Sequence, residues 1–347
     1  LKEVPCLFTM KLKKVAMLLL TLCLLAVSFS YKSVTLADTR WNPNMTKEAR
    51  NVLKYLYTIS GKNILAGQHY YSVEPNANWA QEISGKAPAV WGNDFSWDEV
   101  ASYRQGVVDK AIEMWNSGSL VTLSFHQNKP NDPPETGWSS VQGWYTEEEM
   151  QQLVTPGTEL YNQWLVKVDA IAGYLKQLQD AGVPVLWRPY HENNASWFWW
   201  GGRADLFKKL WANMYDRYTN HFKLNNLIWV WSAANPNDWS LPMEPFYPGD
   251  DKVDILGMDI YDPYKQSFYD GLLKLANGKP IVISECGNLP DIDFLKQNQP
   301  KWAYFLEWGN LLMQNNTEEQ ITAVYSNPYT ITKETLKVPA VNMKGNP

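Results

Sequence analysis

Two glutamates stand where this sequence offers chemistry. Glu192, in Trp187-Arg188-Pro189-Tyr190-His191-Glu192, comes just after an apolar run from Val183 to Trp187 that reads as a buried strand stopped by Pro189. Glu285, in Ser284-Glu285-Cys286-Gly287, follows a second such run, Pro280 to Ser284. Neither position fits a solvated helix face. Beyond Glu192 lie Trp197, Phe198, Trp199 and Trp200; a carboxyl held among aromatic rings is desolvated, which raises its pKa and lets it keep a proton near neutral pH. That is the requirement for a general acid. A second carboxyl kept ionised opposite it would complete the equipment for cleaving a glycosidic bond, with the pair roughly 5 Å apart for retention or about 6.5–9.5 Å apart for inversion. The plainer readings are a hydrophobic corner with an incidental salt bridge at Glu192, and a structural ion pair between Glu285 and Arg188.

Other side chains at the same strand ends are candidates for binding. His126 ends a strand before Gln127-Asn128 and suits a sugar hydroxyl contact, the alternative being a core histidine. His191 either orients Glu192, bonds a sugar or is structural. Arg188 braces carboxylates rather than a phosphate, since no glycine-rich loop accompanies it. Trp197 and Trp308 are expected as stacking platforms, while Trp199 and Trp200 divide between platform and core. Asp94, Asp259 and Asp262 are rival carboxylates with shorter reach, and Cys286 should face away from Glu285, into packing. Ala195 stands four residues after His191, so the two-histidine zinc arrangement is missing. Four scattered His predict no catalytic metal, and no cofactor is expected.

The elements that must present these residues recur along the chain. Eight apolar segments alternate with amphipathic ones: Asn63 to Ala66, Ala87 to Trp91, Leu120 to Phe125, Val183 to Trp187, Leu227 to Trp231, Val253 to Met258, Pro280 to Ser284 and Trp302 to Leu306. Helices are expected near Tyr103 to Asn116, Glu159 to Ala181, Ala204 to Phe222 and Ser267 to Ala276, with a capped helix after Thr46 and a capping box at Thr317 to Gln320. This rhythm predicts a single (β/α)8 TIM barrel from about residue 38 onward, with His69, Asp94, His126, Glu192, Asn235, Asp259, Tyr261, Glu285 and Trp308 facing one mouth. The long loops Gln127 to Thr155 and Ala233 to Asp251 each follow a strand and are expected to build the site.

The run Arg188-Pro189-x-His191-Glu192-x-x-x-x-Trp197-Phe198-Trp199-Trp200-Gly201, together with Phe125-His126 and Ser284-Glu285-Cys286-Gly287, resembles glycoside hydrolase family 26, chiefly β-mannanases. The resemblance spans nearly the whole chain after residue 37. It implies a (β/α)8 barrel and a double displacement with retention, Glu192 serving as acid/base and Glu285 as nucleophile. It also implies that His126, Arg188, His191, Trp197, Tyr261 and Trp308 line the site around the reacting sugar, with Tyr261 hydrogen-bonding Glu285. The match at strand 8, Glu307-Trp308-Gly309-Asn310, is shorter. The implied substrate is a β-1,4-mannan, glucomannan or galactomannan cut internally. The same family includes enzymes acting on mixed-linkage β-glucan and on β-1,3-xylan, and a barrel that binds carbohydrate without cleaving it is a further alternative.

Composition agrees with a neutral polymer as partner. The 347 residues include 18 Trp and 19 Tyr against four His, and aromatic rings suit the apolar C–H faces of sugars. Residues 1–37 read as an N-terminal extension with a secretory signal: Lys11, Lys13 and Lys14 precede an apolar run from Val15 to Phe29, and Thr35-Leu36-Ala37 offers a cleavage site. Met10 is the expected translation start. Without residues 1–37, which carry five Lys and one Glu, the net charge of −5 becomes −9. Such a surface disfavours nucleic acid and anionic membranes. The expected product is a secreted, soluble monomer whose one remaining cysteine, Cys286, forms no internal disulfide.

Overall fold

The computed structural model describes residues 42–71 and 78–338. The signal expected over residues 1–37 lies outside the described residues. Eight strands form the centre: β1 (Ile64–His69), β2 (Val90–Asp94), β3 (Leu120–Phe125), β4 (Val185–Pro189), β5 (Leu227–Ala234), β6 (Ile255–Ile260), β7 (Ile281–Cys286) and β8 (Trp302–Trp308). Each is parallel to the next, and β1 pairs with both β8 and β2, so the sheet closes on itself. A short ninth strand, β9 (Thr330–Ile331), lies on β1 through Ile64 and Leu65. Seven of the eight barrel strands are buried at every residue, and β8 departs only at Trp308. Both faces are covered, as the continuous apolar runs require. All eight expected segments are strands, but most extend two or three residues further than their apolar runs. Asp94, Asp259 and Glu285 therefore belong to strands instead of following them.

Helices fill the outer layer for readable reasons. Thr46 caps the helix Lys47–Ile59 through Ala49 N, and Val52, Leu53, Leu56 and Ile59 lie on its buried face. Helix Glu159–Asp180 buries Leu160, Trp164, Val168, Ile171, Leu175 and Leu178, the three-and-four spacing of its sequence. The helix expected over Ala204 to Phe222 ends as an α-helix at Tyr215 and widens into a π-turn over Asp216–His221. Two anchors accompany the widening: Arg217 pairs with Asp169 at 2.5 Å, and Tyr218 Oη donates to Val168 O at 2.8 Å.

Much of the tryptophan goes to the core. Trp164, Trp187, Trp199, Trp200, Trp211, Trp229, Trp231 and Trp302 are wholly buried. The excess read from composition as sugar-binding surface thus serves packing first. Among the described residues no helix is long and apolar enough to cross a membrane.

Candidate active site

The loop after β4 is built by strain and by aromatic packing. Tyr190 and Glu192 adopt left-handed backbone, φ 49° and 52°, each costing roughly 1 kcal/mol for a residue with a Cβ. Neighbours hold both in place. Tyr190 Oη donates to Gln127 Oε1 at 2.7 Å and accepts from Trp164 Nε1 at 2.8 Å. Glu192 N donates to Ser232 O of β5 at 3.0 Å. Trp199 and Trp200 donate to Gln127 O and His191 O at 2.7 and 2.8 Å, which makes them parts of the clamp and not platforms. Gly201 closes the loop so tightly that a Cβ there would meet Ala195 O at 2.0 Å. Trp197 alone of the aromatic run turns to the acid: its Nε1 donates to Glu192 Oε2 at 2.6 Å.

Glu285 is presented by an irregularity in β7. The register with β6 pairs Met258 with Ile283 and then Asp259 with Glu285, skipping Ser284. Such a bulge re-aims side chains that would otherwise alternate across the sheet. Ser284 Oγ donates to Asp259 Oδ1 at 2.6 Å while the next residue, Glu285, also faces the barrel mouth. Gly257 makes the space, since a Cβ there would lie 2.3 Å from Ser284 Oγ. Cys286 is buried on the far side, with Sγ 3.6 Å from Leu306 O.

Arg188 joins the two rims. From the interior of β4 its Nη2 reaches Glu285 Oε1 at 2.5 Å and its Nη1 reaches Asp259 Oδ2 at 3.3 Å. Tyr261, one residue past β6, donates its hydroxyl to Glu285 Oε2 at 2.6 Å. Both oxygens of Glu285 therefore have strong donors, whereas Glu192 has one indole N–H.

Two carboxyls contact the Arg188 guanidinium and a third, Glu192, feels its charge, and the electrostatics follow. Burial, then the charges of Asp259 and Glu285, push the Glu192 pKa well above the usual carboxylate range against the opposing pull of Trp197 and Arg188. Asp259 is pushed up to about 7 by burial and by Glu285, opposed by Arg188, Ser284 and Ser232. Burial alone would lower the Arg188 pKa, but Glu285 and Asp259 hold it above its ordinary value. His191 is driven well below its usual range by burial and by the neighbouring His126 and Arg188, so it is neutral, 3.7 Å from Glu285 Oε1. Asp94 resists the upward effect of burial because His126 and Ser124 donate to it, His126 Nδ1 at 3.0 Å and Ser124 Oγ at 2.7 Å. That contact leaves Nε2 of His126 for a ligand. Trp308 stacks on His69 at 3.6 Å, and burial lowers the His69 pKa to about 3.

A cavity of about 630 Å³ has Glu192, Glu285, Tyr261, His126, His191 and Trp308 in its wall. Trp97, Asp98, Tyr71, Tyr103, Trp138 and Phe198 extend it. A second cavity, about 430 Å³, shares Glu192 and Tyr261 and adds Trp197, Asn235, Asn237, Asp238, Trp239, Asp259 and Asp262. The nine residues expected at the barrel mouth, and Trp197, thus line one cavity or the other, Arg188 braces the larger from beneath, and Trp199, Trp200 and Cys286 line neither. The contributions of Trp97, Trp138 and Trp239 were not read in the sequence, although the last two fall in the two loops expected to build the site. His191, Asp259 and Glu285 are the described residues that come nearest to a metal cluster, with ligand atoms within 4.8 Å of one another. Arg188 already supplies the positive charge between the two carboxylates.

Known proteins resemble this chain in sequence and fold. Over 318 residues the chain is 36% identical to a mannan endo-1,4-beta-mannosidase of Thermothelomyces thermophilus, the match covering 85% of this chain and 63% of that protein. It spans 46% to 59% of three further curated mannan endo-1,4-beta-mannosidases. Among solved structures, GH26A from a Muricauda species superposes with a TM-score of 0.83 at 45% identity, covering 86% of this chain and 100% of that one. A beta-mannanase from a symbiotic protist of the termite Reticulitermes speratus, complexed with gluco-manno-oligosaccharide, superposes with a TM-score of 0.76 at 30% identity, covering 85% and 96%. The model of glycosyl hydrolase family 26 matches residues 41–335, and the chain belongs to that family.

Proposed function

We propose that this protein is a secreted endo-β-1,4-mannanase that cleaves its polymer with retention. The observation that carries the reading is the single cavity lined by both Glu192, whose pKa burial and neighbouring acids push well above the usual carboxylate range, and Glu285, whose two oxygens accept from Arg188 and Tyr261. Glu285, with a guanidinium on one oxygen and a phenol on the other, attacks the anomeric carbon. Glu192, holding its proton, passes it to the departing glycosidic oxygen. The resulting glycosyl-enzyme is then opened by water, Glu192 acting as the base. His126, fixed through Nδ1 by Asp94, offers Nε2 to a sugar hydroxyl. His191 and Trp308 line the same cavity around the reacting sugar, and Tyr261 and Arg188 brace the nucleophile.

Internal cleavage is supported by the continuation of the trough beyond Glu192 into the second cavity. Mannan is favoured over mixed-linkage glucan and β-1,3-xylan by the names of the curated relatives. Proton NMR of a mannan digest tests substrate, bond and stereochemistry together. β-Anomeric reducing ends should appear first and mutarotate later. Initial α-anomer would overturn retention, and products from glucan or xylan with none from mannan would overturn the substrate.

A further inference from the structure

We infer that Trp239 is the stacking platform for a second sugar on the leaving-group side of the scissile bond, so that it sets how strongly the enzyme prefers long chains. This rests on the reading of the trough as a β-1,4-mannanase site. The direction of the trough comes from its walls. A nucleophile must touch the reacting sugar, and a general acid must touch the sugar that departs. The larger cavity is lined by Glu285 and Glu192, whereas the cavity holding Trp239 is lined by Glu192 without Glu285. The smaller cavity is therefore where departing sugars lie, and of its two indoles Trp197 is hydrogen-bonded to the acid whereas Trp239 is not.

Trp239 is 80% exposed, more than any other large apolar side chain among the described residues. An indole left so open is costly in water unless something covers it in use. The segment carrying it is nevertheless tied down. Asn194, wholly buried, accepts from Ala234 N at 2.8 Å and donates to Ala234 O and Leu241 O at 3.1 and 2.9 Å. Leu241 N donates to Asn194 O at 2.7 Å, and Ser240 bridges to Ala195. Asn237 Oδ1 accepts from Trp239 N at 2.8 Å. Asn194 is two residues from Glu192, so the turn that positions the acid also positions the exposed ring. A ring fixed before binding loses little conformational freedom when a sugar stacks on it. Asp238 and Asp262 in the same cavity offer acceptors for the hydroxyls at the rim of that sugar.

The test compares two substrates in one variant. Mannohexaose spans both cavities, whereas a nitrophenyl β-mannobioside places only its aryl ring beyond the scissile bond. In Trp239→Ala the ratio of kcat/KM for the hexaose to that for the aryl glycoside should fall by about 10-fold or more, and Trp239→Phe should restore most of it. A ratio cancels any difference in the fraction of folded enzyme. An unchanged ratio in Trp239→Ala would overturn this inference and leave the mannanase reading intact. Wild-type enzyme inactive on both substrates would overturn that reading, and the inference with it.

Discussion

Glu192 and Glu285 face each other across one trough, yet the chain builds their surroundings from different materials. Glu285 sits inside a strand, aimed by a bulge, with Arg188 on one oxygen and Tyr261 on the other. Glu192 sits in a left-handed turn, with one indole N–H on its carboxyl and two acids nearby. Position relative to water does not separate them, for Glu285 is the more buried residue of the two. What separates them is the count of donors and the sign of the nearest charge. The contrast teaches that two carboxyls in one cavity wall can differ through their donors and nearest charges, and the roles proposed for them follow that difference.

Removing each carboxyl should expose the contrast most sharply. Glu285→Ala and Glu192→Ala should both lower mannan hydrolysis by several orders of magnitude. The two should diverge on an aryl mannobioside with a good leaving group, which needs no proton. There Glu192→Ala should form the glycosyl-enzyme nearly as fast as wild type, seen as a burst of nitrophenol, while Glu285→Ala should give no burst. Equal behaviour of the two variants would erase the distinction between the roles.

Arg188 is the charge that makes the Glu285 side differ, so its removal should cost both structure and chemistry. Arg188→Met leaves Glu285 and Asp259 buried without their cation, a loss of about 3–5 kcal/mol in unfolding free energy at pH 7. The penalty should shrink at low pH, where Asp259, pushed up to about 7, takes up a proton. Urea unfolding at pH 4 and pH 7 checks it, and a loss independent of pH would mean that Arg188 contributes packing alone.

The eight strands were legible because burial on both faces leaves an unbroken apolar run, and the two glutamates because a charged residue at the tip of such a run has few structural explanations. Arg188 was legible as a brace for carboxylates and Tyr261 as a strand-end residue, while the hydrogen bond from Tyr261 to Glu285 was legible only through the resemblance. The bulge at Ser284 was not, since it depends on how β7 registers against β6 and no local signal in Ile281 to Cys286 encodes that. For the same reason Asp259 was read as a rival carboxylate, when it is the third member of the buried ionic cluster. Nor could composition divide the tryptophans. Trp229 is buried and Trp239 stands in a cavity, yet a count of tryptophans treats the two alike.

Glu307 supplies a third carboxyl, outside the trough, that sharpens what burial alone does. It neighbours Trp308 on β8 but points away from the cavity, and burial lifts its pKa to about 9, weakly opposed by Gln68. The folded protein keeps a proton there that the unfolded chain releases above about pH 4.3. Its contribution to stability is thus fullest in acid and is lost as pH rises toward 9, a cost at pH 7 on the order of 3 kcal/mol. Glu307→Gln removes the titration, so the variant should gain on wild type in urea midpoint between pH 5 and pH 8. A constant difference over that range would show that burial alone does not hold the proton.

The smallest effect tests the single donor on the acid. A hydrogen bond to a carboxylate favours its ionised form, so Trp197 Nε1, at 2.6 Å from Glu192 Oε2, holds the Glu192 pKa below where burial and the neighbouring charges would otherwise put it. The reaction needs that proton, which is present below the pKa and lost as pH rises through it. Trp197→Phe keeps a ring and deletes the N–H, so the alkaline limb of kcat/KM should move to higher pH by about one unit or less. Asp259→Asn removes a negative charge from the same neighbourhood and should move the limb the other way. If both limbs move in one direction, the pH profile is set by some group other than Glu192, and the difference in donors between the two carboxyls is not what divides their labour.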